Sequence, residues 1–177
     1  MVDEPSSAEK EESATAASNT DLARFDRANS TIKNHVIASM TLGMVPLPVF
    51  DLVTLMGVQL KMVHSLCKHY DVEYKKNIGK SLIGGLVVGV LPVSATLTLS
   101  SMLKLIPGFG SLASGTVVAI LGGALTYGVG KVFVQHFESG GTLLDFSVAK
   151  YRKRFEKAVD EGKSVASDLR GEADAAA

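Results

Sequence analysis

The chain has 177 residues, 46% of them hydrophobic, with 18 basic side chains balanced by 18 acidic ones. That balance lacks the electrostatic footprint of a nucleic-acid binder, and a single cysteine, Cys67, excludes an intrachain disulfide. Charged residues make up 20% and crowd towards the ends, which predicts one domain with polar tails and an apolar middle.

Residues 1–20 are rich in Ser, Ala, Glu and Thr, without a periodic apolar residue or the apolar run of a secretory signal. They predict a disordered tail, because they bury nothing that would offset the entropy of ordering. A helical domain is expected over 21–160. Its first helix carries Leu22, Phe25, Ile32 and Val36 near one face, with Arg24, Asp26, Arg27 and Lys33 around the rest.

Val36 to Leu60 is apolar, is broken by Pro46-Leu-Pro48, and holds one charge, Asp51. Lysines or arginines flank it on both sides, so a single crossing would violate the cytoplasmic bias of basic residues. The arm from Val36 to Val45 is about 15 Å long, too short to cross. A Pro-tipped hairpin that re-enters the membrane or lies on it is therefore expected. Asp51 has two readings, an intramembrane carboxylate or a first-turn acid favoured by the helix dipole. His64, Cys67 and His69 raise a metal site, but His69 is turned away from the face the other two share. No metal or cofactor is expected.

The longest apolar stretch is Ser81 to Gly130, with Lys104 as its single charge. Leu82–Met102 meets the requirement of roughly 20 helical residues to span a bilayer, and Leu112–Gly130 just meets it. Pro107, Gly108 and Gly110 break the helix between them. Gly85-x-x-x-Gly89, Ala119-x-x-x-Gly123 and Ala124-x-x-x-Gly128 suit close packing of two spans on each other. Lys75, Lys76 and Lys80 flank one end and Lys131 the other, which places both ends, and both termini, in the cytoplasm. The competing reading is a soluble helical bundle that shields this hairpin as its core.

Gly140 and Gly141 are helix terminators, and Thr142-Leu-Leu-Asp145 after them does not complete a phosphate-binding loop. Asp145 or Ser147 then caps a last helix bearing Lys150, Arg152, Lys153, Arg154 and Lys157, with Tyr151, Phe155 and Val159 every four residues. A basic amphipathic helix of this kind suits anionic lipid headgroups. Residues 161–177, acidic and Ala-rich, predict a second disordered tail.

Several strings carry a resemblance. They are Met40-Thr-Leu-Gly-Met-Val-Pro-Leu-Pro-Val-Phe-Asp51, Gly57-Val-Gln-Leu-Lys-Met62, Gly79-Lys-Ser-Leu-Ile83, Ile106-Pro-Gly-Phe-Gly110 and Lys131-Val-Phe-Val-Gln-His-Phe-Glu-Ser-Gly-Gly-Thr142. Together they resemble a bacterial membrane-domain family of unknown function, related to YcjF-type inner-membrane proteins and to the membrane domain fused to some Era-like GTPases. The resemblance implies a helical inner-membrane protein and a GTPase partner, and it brings no catalytic residues. This chain has no Gly-x-x-x-x-Gly-Lys-Ser/Thr of its own.

The expected fold is all-α, a membrane-associated helical bundle made of a long apolar hairpin, a shorter Pro-tipped hairpin and flanking amphipathic helices. The expected role is that of a non-enzymatic membrane anchor or scaffold for a cytoplasmic partner. A small transporter or channel subunit working as a homo-oligomer is the alternative from another class, with Asp51 and Gln59 along its path. Catalysis is not expected, since Asp51, His64, His136 and Glu138 are scattered singles. Candidate lipid or partner contacts are Asp51, Gln59, Pro46, Pro48, Gly85, Gly89, Lys150, Arg152, Lys153 and Arg154.

Overall fold

A computed structural model describes residues 7–43, 50–90 and 110–175. Among them are five helices: α1 (Ser7–Gly43), α2 (Phe50–His69), α3 (Lys76–Val90), α4 (Gly110–Glu138) and α5 (Val148–Ala175). Both expected tails are helical where they are described. Ala and Glu are strong helix formers, which extends α1 back to Ser7. At the other end Ala166 is fully buried and Leu169 packs on the core, so α5 continues well past residue 161.

The bundle is assembled around α4, which packs chiefly against α1 and α5. From Gly123 to Phe137 α4 is buried almost all round. Its small residues set how closely the neighbours come. A Cβ on Gly130 would lie 2.6 Å from Ile32 of α1, and one on Gly128 would lie 2.7 Å from Val159 of α5. Conversely, a Cβ on Gly162 of α5 would meet the Ala124 carbonyl oxygen of α4 at 2.9 Å.

Helix α1 buries Ala28, Ile32, Val36 and Met40, a strict four-residue stripe, while Leu22 and Phe25 of the expected face stay largely exposed. Helix α2 runs antiparallel to it: Thr31 bonds His69 at one level, and Ser39, Thr126 and Gln59 meet at another. The expected shorter hairpin is thus the junction of two long helices, and its tip, with Pro46 and Pro48, lies outside the described residues.

The long hairpin differs from expectation. Helix α3 leans on α2 and α5 instead of pairing with α4 along its length. Gly85 meets Val148 and Gly89 meets the Arg152 guanidinium, both on α5. The small-residue patterns therefore record the approach of α1 and α5 to α4, and of α3 to α5. Pairing α3 with α4 would leave α4 open where α1 and α5 now bury it. The rest of the first arm, with Pro92, and the turn with Lys104 and Pro107 lie outside the described residues.

The helix ends follow local chemistry. Gly140 has φ 78° and the Gly141 N–H donates to the His136 carbonyl, closing α4 with a left-handed glycine cap. Asp71 takes the same role after α2 at φ 53°, with the Val72 N–H donating to the Cys67 carbonyl. Ser147 caps α5, its Oγ accepting from the Lys150 N–H. Asp145, the other candidate cap, does something else.

Candidate functional site

The Lys131–Thr142 string divides into an inward and an outward set. Phe133, His136 and Phe137 face the core, where Phe133 stacks on Phe146 and Phe146 on Tyr151 at centroid distances of 4.5 and 4.8 Å. His136 Nε2 lies 2.8 Å from the Thr142 carbonyl. A carbonyl only accepts, so Nε2 donates, and in that tautomer Nδ1 accepts from the Tyr151 hydroxyl at 3.2 Å. Asp145 accepts from both the N–H and the hydroxyl of Thr142. These bonds, with His136 a lesser contributor, hold the Asp145 carboxyl at about 2. The whole turn between α4 and α5 is thereby clamped from inside.

The outward set is Lys131, Gln135 and Glu138, spaced i, i+4, i+7 on one face of α4. With Phe25 of α1 and Arg154, Lys157 and Glu161 of α5 they line a cavity of about 510 Å³. A smaller one of about 210 Å³ is lined by Ile32 and Lys33 of α1, Tyr127 of α4 and Val165 and Leu169 of α5. Glu138 accepts a hydrogen bond from the Tyr70 hydroxyl, and Arg24 lies over the Tyr70 ring, 5.1 Å from its centroid. Burial first, then Glu138, raises the Tyr70 hydroxyl well above the ordinary phenol range. Of this lining only Arg154 was a sequence candidate; the i, i+4, i+7 spacing inside the string was the one signal for the rest.

The sequence candidates scatter. Gln59 is 1% exposed, and its Nε2 donates to Thr126 Oγ1, which bonds Ser39 Oγ in turn. The Ser39 hydroxyl donates in turn to the His35 carbonyl. Gln59 therefore ties α2 to α4 and α1 in the interior, and is neither a lipid contact nor an open path lining. Gly85 and Gly89 are covered by α5 as described. Lys150, Arg152, Lys153 and Arg154 are exposed on the first turns of α5, and only Arg154 reaches the cavity. Asp51 is the second residue of α2, and its side chain lies outside the described residues, as do Pro46 and Pro48. His64 stacks on Tyr74, His69 bonds Thr31, and burial pushes the Cys67 thiol up to about 11.

The opposite end of the bundle carries exposed apolar side chains beside the polar last turns of α5, since Ala166 of α5 already packs at Gly123 of α4 and Asp168 and Glu172 follow it. Ile37 and Leu42 on the last two turns of α1, Val53 at the start of α2 and Val117 in the first part of α4 are all exposed, Val53 by 71%. Here the chain enters residues 44–49 and leaves 91–109, which carry one charge between them, Lys104. Among the described residues one segment, Gly115–Glu138 of α4, is long and apolar enough to cross a membrane, and 56% of its most apolar window is buried inside the bundle.

These features define a class: an all-α bundle built around a central apolar helix, with apolar side chains exposed near the end where α1 and α2 meet. The chain belongs to the family described as Domain of unknown function (DUF697), which matches residues 8–161. It is also similar to Magnetosome membrane protein 22 of Magnetospirillum gryphiswaldense, with 32% identity over 151 residues, covering 85% of this chain and 77% of the relative. No solved structure matches it.

Proposed function

We propose that this protein is a non-enzymatic membrane module whose apolar end sits in the bilayer and whose charged end holds a cytoplasmic partner. The carrying observation is the gathering of Ile37, Leu42, Val53 and Val117 where the chain joins its two apolar segments. An apolar patch at the end of a monomer marks a contact with lipid or protein, and the continuing apolar sequence favours lipid. Similarity to a magnetosome membrane protein supports the same reading. On this reading the membrane is the bacterial inner membrane, both termini are cytoplasmic, and the partner is a GTPase carried on another chain. Alkaline carbonate extraction tests it: the protein stays with the membrane pellet, and release into the supernatant contradicts it.

A second reading has an observation of its own. Helix α4 is sheathed by α1 and α5, whose outer faces are charged, as in a bundle that stays in solution. The same extraction decides between them, since a bundle in solution appears in the soluble fraction before carbonate is added.

A further inference from the structure

The cavity between α1, α4 and α5 is lined by three cations, Lys131, Arg154 and Lys157, and two carboxylates, Glu138 and Glu161, which leaves one net positive charge. The Lys131 ammonium lies between two rings, 5.9 Å from the Phe25 centroid and 5.8 Å from that of Tyr127. The Arg154 guanidinium lies 5.7 Å from the Tyr151 centroid. Ring faces fix a cation in place and leave its charge in force, whereas a carboxylate would cancel it. Among the described residues, neither of these groups nor Lys157 has a carboxylate oxygen within ion-pair distance. The two acids keep their charge: Glu138 accepts from the Tyr70 hydroxyl, and Glu161 lies near Tyr127, the ring that also holds Lys131, so the three cations outnumber them by one. Val132, Val134 and Ala158, all buried, supply apolar lining.

We propose that this cavity binds a small amphipathic anion, a phosphate or carboxylate attached to a short apolar chain or ring. Lys131, Arg154 and Lys157 take the anion, and the apolar lining takes the remainder. A volume of about 510 Å³ suits a small molecule and is too small for a docked protein helix. The site also has an axial position. Gln135 lies 18 residues along α4 from Val117, about 27 Å from the apolar end at helical rise. Its charged mouth faces water when only the apolar side chains at that end enter lipid, and a water-borne ligand is the expected source. The site does not depend on the membrane reading, because its residues and geometry are the same in a soluble bundle.

The test is calorimetry on the full-length protein in nonionic detergent, with n-hexyl phosphate as probe and inorganic phosphate and hexanol as its separated halves. Saturable one-to-one binding of hexyl phosphate, tighter than either half, is expected. Lys131→Gln and Lys157→Gln should each weaken it about tenfold, the loss of one charge-assisted contact. Lys76→Gln with Lys80→Gln, an equal or larger charge loss on α3, should change it by less than about twofold. Repeating the titration in nanodiscs with and without phosphatidic acid separates the sources. Competition by phosphatidic acid assigns the anion to a lipid headgroup, and its absence assigns it to a soluble ligand. No saturable binding, equal binding of hexanol, or an equal loss in the α3 variants overturns the site.

Discussion

The His136 ring fills the space that a side chain on Gly141 would need: a Cβ there would overlap the ring's Cε1 atom. The neighbouring Gly140 is constrained differently, by φ 78° with open space around it. Two adjacent glycines thus serve one turn for separate reasons, the first conformational and the second steric.

Gly141→Ala should push the ring from its bonds to Thr142 and Tyr151, at a cost of about 2–4 kcal/mol in urea unfolding. Gly140→Ala should cost about 1–2 kcal/mol through backbone strain alone. Adding His136→Ala should relieve much of the Gly141→Ala penalty and none of the Gly140→Ala penalty. Additive behaviour in both pairs would mean that the ring does not fill this space.

Asp145 gives a pH signature. Its folded value of about 2 lies below the ordinary 3.8, so its contribution is complete above the ordinary value and is lost as pH falls towards 2. Between pH 4 and 2 the Asp145→Asn protein should therefore lose stability less steeply than the wild type. Thermal melts across that range measure it, and parallel curves would remove Asp145 from the clamp.

Two glycines of α5 should respond with opposite signs. Gly171 has open space around it, so Gly171→Ala should stabilise by about 0.5–1 kcal/mol through helix propensity. Gly162 abuts the α4 backbone at Ala124, which cannot step aside, and Gly162→Ala should cost about 1–3 kcal/mol. Stabilisation by both would show that the end of α5 does not pack on α4.

The buried relay from Gln59 through Thr126 to Ser39 should behave as a unit. Thr126→Val strands the Gln59 amide, while the Ser39 hydroxyl keeps its bond to the His35 carbonyl, and should cost about 1–3 kcal/mol. The combination Gln59→Leu, Thr126→Val and Ser39→Ala should cost less than the sum of the single changes, since no polar group is then left without a partner. Equal costs would mean that the three side chains act independently.

Features written in local sequence were legible. Gly140-Gly141 ends α4, Ser147 starts α5, and the apolar length of α4 is plain in the string from Gly115 onwards. Pairing was not legible. Gly85-x-x-x-Gly89 states that something comes close, and only the fold shows that it is α5. The end of α5 was missed because Val165, Ala166 and Leu169 are sparse among polar residues, and their burial depends on α4 lying alongside. The cavity needed three helices in register before Lys131 and Lys157 could be seen as neighbours.

The central claim is that the apolar end meets lipid and the charged end meets water. A fluorophore attached to single cysteines at Val53→Cys, Val117→Cys or Ser139→Cys, in a Cys67→Ala background, tests it in proteoliposomes carrying a lipid-borne quencher. The account predicts strong quenching at positions 53 and 117 and none at 139. Probes at 53 and 117 that report water, or one at 139 that reports lipid, would contradict it.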